Sequence, residues 1–237
     1  MGEISNMLSD SLAVLTLSDC NLRDDALIPL FKAIYKQHNL HTLNLSGNIL
    51  TTEGMELLCN SLVTLTNLNS LNLSSNNLKH DSIRCLADVF IQHDDVNVPV
   101  HIQYLDLSFN PLTDIVLQSL AIITRHLQLN TLKLRDVNFT NHIFDCEGNE
   151  SIELYLELLE VLDIGYNYMD KDQIARFVSW LKPTLIQHID VSNNELCKDG
   201  LTKELIQLLE MDENLKLKEL VLCRCRVSDM ELYELLR

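Results

Sequence analysis

The sequence is short of several things, and each shortage excludes a class of function. It has only six glycines in 237 residues. None falls in the spacing of a phosphate-binding loop or a dinucleotide fingerprint. Basic residues are scarce as well: 18 Lys and Arg stand against 34 Asp and Glu, a formal net charge of −16. A surface of that sign repels nucleic acid phosphates, attracts basic partners and aids solubility. No direct nucleic-acid partner is expected. No apolar run is long enough to span a bilayer, so no membrane partner is expected either.

Metal and redox motifs are missing too. Neither H-E-x-x-H nor C-x-x-C occurs, and Cys223-x-Cys225 has no second ligand pair nearby. No zinc site and no cofactor is expected. The seven cysteines are odd in number, scattered and mostly in apolar contexts, which points to a reducing compartment and not to a disulfide framework. The first residues do not resemble a signal peptide, so an intracellular location is expected, the cytoplasm on this ground alone. The N-x-S/T triplets at Asn44, Asn72, Asn138 and Asn149 are then incidental. The eight His are dispersed, mostly where helix ends or loops are expected. Nothing pairs a nucleophile with a base and an oxyanion site, so no enzyme is expected.

What the sequence has is a repeat. The template L-x-x-L-x-L-x-x-N-x-L starts at Leu12, Leu40, Leu68, Ile102, Leu129, Leu159, Ile186 and Leu217. Successive starts are 28, 28, 34, 27, 30, 27 and 31 residues apart. In the L-x-L portion apolar and polar residues alternate, which predicts a short strand with one buried face. The Asn falls where the chain leaves the strand. Its amide donates and accepts at once, so it can satisfy turn backbone that would otherwise be buried unpaired. Asn48, Asn76, Asn110, Asn167 and Asn194 hold this place; Cys20, Val137 and Cys225 replace it. A thiol is a weak donor, but Val137 offers nothing, so the fifth rung needs another solution.

An amphipathic helix follows each turn, as Leu57, Leu58, Leu62 and Leu65 show by their spacing. Asp24, Thr52, Asp114 and Asp229 share one offset and are expected helix N-caps. Rungs of about 28 residues with a full helix predict an α/β leucine-rich repeat solenoid, a horseshoe of the ribonuclease-inhibitor-like class. Eight rungs would put one parallel sheet on the concave face and the helices on the convex face. Residues 1–237 are expected to form a single domain. Neither end carries a recognisable cap, so the chain is expected to be a segment of a longer protein, or to have its ends covered by a partner. Ile91–His101 and Thr140–Glu150 are insertions, read as loops, the first with its helix ending before Pro99.

If the template leucines point inward, the residues between them point outward. Rungs one to three then show small groups: Val14, Thr16, Thr42, Asn44, Ser70 and Asn72. Rungs four to seven show Tyr104, Asp106, Phe109, Lys133, Arg135, Asp163, Tyr166, His188 and Asp190. Aromatics with mixed charge suit a protein-binding surface, with the three aspartates taking Lys or Arg from a basic partner. The same residues also fit a self-satisfied ladder of cross-strand pairs such as Asp106–Lys133 and Lys133–Asp163. Both readings stand on residue type alone.

With its rungs aligned, the chain resembles the leucine-rich repeats of the ribonuclease inhibitor, Ran GTPase-activating and NLR families. Leu105–Ala121, Leu129–Phe139 and Leu159–Ser192 are similar to the C-terminal repeats of tonsoku-like proteins. The landmarks are Tyr166-Asn167, Ala175-Arg176 and Thr184-Leu185 with His188. These stretches cover roughly a third of the chain, and much of the match is repeat template. The resemblance implies a nuclear scaffold in replication-fork maintenance and homologous recombination repair, whose repeats engage a partner repair protein. It transfers no individual functional residue. A Ran-type GTPase-activating protein and the sensor segment of an NLR innate-immune receptor are the alternatives.

Overall fold

The computed structural model describes residues 11–92, 100–113, 115–139, 154–170, 185–194 and 217–225, with Gln173, Ile174 and Phe177. Each template yields one three-residue strand. In chain order these are β1 (Val14–Thr16), β2 (Thr42–Asn44), β3 (Ser70–Asn72), β4 (Tyr104–Asp106), β5 (Thr131–Lys133), β6 (Val161–Asp163), β7 (His188–Asp190) and β8 (Glu219–Val221). They form a single open parallel sheet in sequence order. The register never slips: Leu15, Leu43, Leu71, Leu105, Leu132, Leu162, Ile189 and Leu220 are successive partners.

The described helices are α1 (Asp24–Ile34), α2 (Thr52–Leu62), α3 (His80–Gln92) and α4 (Val116–His126). Each packs against the next. The core lies between sheet and helices. Leu45, Leu73, Leu107, Leu134, Ile164 and Val191 form one fully buried column. Leu58, Leu62, Leu86, Leu117 and Leu120 meet it from the helix side. A fully buried leucine contributes roughly 1.5–3 kcal/mol, and neighbouring rungs supply walls of the core that buries it. The fold is therefore the leucine-rich repeat solenoid that the periodicity predicts.

The asparagine ladder runs between rungs as well as within them. Asn110 donates through Nδ2 to the carbonyls of Leu73, Leu107 and Ser108 at 2.9–3.1 Å. Its Oδ1 accepts the N–H of Asn76 and of Leu78 at 3.0 Å. Asn48, Asn76, Asn167 and Asn194 repeat the pattern with small variations. Cys225 donates its thiol to the Val191 carbonyl at 3.2 Å. Val137 is accommodated by the rung before it. The Leu112 N–H turns back to the Asn110 carbonyl at 2.8 Å, and the Thr113 N–H reaches the Val137 carbonyl at 3.0 Å. For the Leu112 N–H, the missing side-chain acceptor is replaced by backbone.

The helix starts correct one expectation. Asp24 and Thr52 are the first helical residues, and the N-caps are Arg23 and Thr51. Both side chains reach sideways instead. Asp24 accepts the Thr51 N–H at 3.0 Å and the Thr51 hydroxyl, and Thr52 Oγ1 lies 2.9 Å from Ser82 Oγ. Stacked helices put the next rung's start as close as a residue's own first turn. Gly54 allows this contact, since a Cβ there would stand 2.2 Å from Asp24 Oδ1. Asp114, Asp229, Pro99, both chain ends and most of the two insertions lie outside the described residues.

Candidate protein-binding face

The outward sheet residues carry a device that the alternation pattern hides. Asn44, Asn72, Asp106, Asp163 and Asp190 each accept a hydrogen bond from the backbone N–H two residues on. The donors are Ser46, Ser74, Ser108, Gly165 and Ser192, at 2.8–3.0 Å. Each Asx side chain thus closes the end of its own strand. The signal in the sequence was the recurring Asn/Asp-x-Ser/Gly, which reads as Asn-Leu-Ser, Asp-Leu-Ser, Asp-Ile-Gly and Asp-Val-Ser.

This use changes what the aspartates offer. Asp106 is only 7% exposed. Its Oδ2 accepts the Tyr104 hydroxyl at 3.2 Å, and the Lys133 ammonium stands 5.5 Å from the centre of the Tyr104 ring. Burial and the nearby Asp106 charge push the Tyr104 phenol above its ordinary pKa, with Lys133 opposing them.

Lys133 lies in register between Asp106 and Asp163, as the cross-strand ladder expects, but the ion pair with Asp163 is made by Arg135. Its Nε donates to Asp163 Oδ2 at 2.9 Å, and its Nη2 donates to Asp190 Oδ2. Ser192 Oγ accepts at 3.4 Å, and the guanidinium stacks 5.0 Å from the centre of the Tyr166 ring. Arg135 starts in rung five and must cross rung six to reach rung seven. It passes over Gly165, where no side chain intervenes. Desolvation works against the charge, yet Asp163 and Asp190 hold the guanidinium above its ordinary pKa. Farther along, His188 Nδ1 lies 3.0 Å from Glu219 Oε2.

The residue preceding the template Asn has left-handed backbone in every rung. These residues are Asp19, Gly47, Ser75, Phe109, Asp136, Tyr166, Asn193 and Arg224, with φ between 50° and 66°. Asn, Asp, Gly and Ser suit the place; bulky residues there are outliers. Phe109 and Tyr166 occupy it nonetheless, and Phe109 is 50% exposed. Sequence reasoning had named both aromatics but missed Gly165, Ser192, Asp136 and Glu219.

The structure brings seven of the nine expected residues together in two groups and leaves two standing apart. Tyr104, Asp106 and Lys133 form the first. Arg135, Asp163, Asp190 and Tyr166 form the second. His188 stands apart with Glu219, and Phe109 stands at the left-handed corner of rung four. Among the described residues no cluster of His, Cys, Asp or Glu could hold a metal ion, and no helix is long and apolar enough to cross a membrane. The Asp106, Asp163 and Asp190 side chains are taken up by their strand ends, by Tyr104 and by Arg135.

Comparison with known proteins finds the same kind of repeat in part of the chain. A family model described as Leucine Rich repeat matches residues 36–59, 64–87 and 99–121. The chain is similar to a leucine-rich repeat protein of Leptospira interrogans, at 18% identity over 86% of this chain and 48% of that one, TM-score 0.46. It is similar to a chain of the Rad7–Elc1 complex of yeast, at 16% identity over 96% of this chain and 60% of that one, TM-score 0.47. It is also similar to the TLR13–ssRNA13 complex, at 15% identity over 93% of this chain and 31% of that one, TM-score 0.48. The chain spans less than two thirds of each of these structures. The repeat and the stacked parallel strands together define a leucine-rich repeat solenoid with an open sheet face.

Proposed function

We propose that the sheet face of rungs four to seven docks a protein partner, with Tyr104, Phe109, Lys133 and Tyr166 as its contact residues. One observation carries this reading. Phe109 and Tyr166 hold left-handed backbone, a conformation that costs a bulky residue of order 1–3 kcal/mol. Five other rungs place Asp, Gly, Ser or Asn at that position, so stability alone does not call for an aromatic ring. Exposed aromatics beside desolvated charge are the composition of interaction hot spots. The excess of acidic residues, a net charge of −16, favours a partner with a basic surface.

The resemblance of three stretches to tonsoku-like C-terminal repeats supports a finer proposal. The partner would be a protein of homologous recombination repair, and the site of action the nucleus.

The test is affinity purification with mass spectrometry on the full-length protein, with and without Tyr104→Ala and Phe109→Ala together. The expected result is loss of one defined partner while the array still unfolds as one cooperative unit. An unchanged set of partners would sink the docking face. Reversing Asp163 and Asp190 makes a poorer test, because those changes release Arg135 and disturb the fold itself.

A further inference from the structure

We infer that the corner between Phe109 and Tyr166 is a slot for one cationic side chain, lysine or arginine, of an extended partner segment. The inference rests on the sheet face being the docking surface and names the chemistry that the face selects.

Consecutive left-handed residues have the same backbone geometry and are joined from rung to rung. The Phe109 N–H donates to the Arg135 carbonyl at 2.7 Å, Asp136 to Gly165 at 3.0 Å, and Tyr166 to Ser192 at 2.8 Å. Equal φ and an equal hydrogen-bond pattern make the Cα–Cβ vectors of this row nearly parallel. Neighbouring strands lie about 4.7–4.9 Å apart, so Phe109 and Tyr166 stand roughly 10 Å apart. Two van der Waals contacts of about 3.5–4 Å take up most of that gap. One side chain fits, with an aromatic ring on either side.

The residue between them is Asp136, which is exposed. The nearest cation, Arg135, is already held by Asp163 and Asp190. An apolar occupant would strip water from the Asp136 carboxylate without replacing it, and an anionic one would be repelled. A cation gains the Asp136 carboxylate and the exposed Phe109 ring, and shares the Tyr166 ring with Arg135.

The slot can be tested on this chain by NMR titration with a hexalysine peptide, and with hexaglutamate as comparison. Two variants borrow residues that other rungs already place in this backbone conformation, so the fold tolerates them. Phe109→Ser copies Ser75, and Asp136→Asn copies Asn193. Hexalysine is expected to shift the amides of Phe109, Asp136 and Tyr166, and each variant to weaken it roughly two- to fivefold. Glu56→Gln, on the exposed side of α2, is expected to leave it unchanged. Equal weakening by Glu56→Gln, equal binding of hexaglutamate, or shifts confined to other residues would overturn the slot. If the slot variants bind hexalysine normally while Tyr104→Ala with Phe109→Ala still removes the native partner, the slot is wrong and the docking face stands.

Discussion

The guanidinium carbon of Arg135 lies 3.0 Å from the point where a Cβ on Gly165 would stand. The Gly165 backbone needs no special conformation, so the glycine is there for space. Gly165→Val should push Arg135 off Asp163 and Asp190 and leave two half-buried carboxylates without their cation. The expected loss is about 1–3 kcal/mol, read from urea denaturation. Gly165→Ala should cost less. A variant as stable as the parent would show that Arg135 has another route across rung six.

Asn110 satisfies five backbone groups from two rungs. Asn110→Ala strands several of them in a site that is 1% exposed. Each buried group left unpaired costs about 1–3 kcal/mol, so a loss of at least 3 kcal/mol is expected. Chemical denaturation should show it. Asn110→Asp keeps the acceptor and loses the donors, and should be nearly as damaging.

Val137 is the instructive exception. Restoring the template by Val137→Asn looks favourable from the sequence. The structure says otherwise, because the Leu112 N–H that such an amide would serve has already turned to the Asn110 carbonyl. The new amide would be buried with few groups left to serve, at an expected cost of about 1–3 kcal/mol. A melting temperature above that of the parent would contradict this account of rung five.

Thiol chemistry should follow burial. Cys59 and Cys225 are buried, Cys20 and Cys223 exposed. Burial pushes the Cys59 thiol, and less strongly the Cys225 thiol, above the ordinary value of 9.0. Iodoacetamide at pH 8 should therefore label Cys20 and Cys223 in the native protein, and Cys59 and Cys225 only after unfolding, as peptide mass spectrometry would show. The sign of the linked stability follows. The unfolded chain releases these protons first, so their contribution is full below about pH 9 and falls as pH rises toward the folded values. Alkaline stability measurements on Cys59→Ala should show a shallower decline.

Much of the fold was legible because a repeat states its rule eight times. The inward leucines, the strand at each L-x-L and the asparagine turn all follow from spacing within one rung, and all were found. The face was legible only as a set of residue types. Asp106 looked like an open carboxylate and is covered by Tyr104. Lys133 is in register with Asp106 and Asp163 as expected, but Arg135 makes the ion pair with Asp163 and Tyr104 bonds Asp106. The helix caps at Asp24 and Thr52 were offset by one residue, since their partners lie in the next rung.

The sequence by itself determined the solenoid, its period and the residues that line each side, because those depend on contacts repeated at fixed short separations. Only the tertiary structure decided which charges remain available, since that depends on side chains crossing from one rung to another. Arg135 reaches Asp190, 55 residues away, because rung six has no side chain at Gly165 to stop it. No periodicity records a gap of that kind. It exists only once the rungs are stacked.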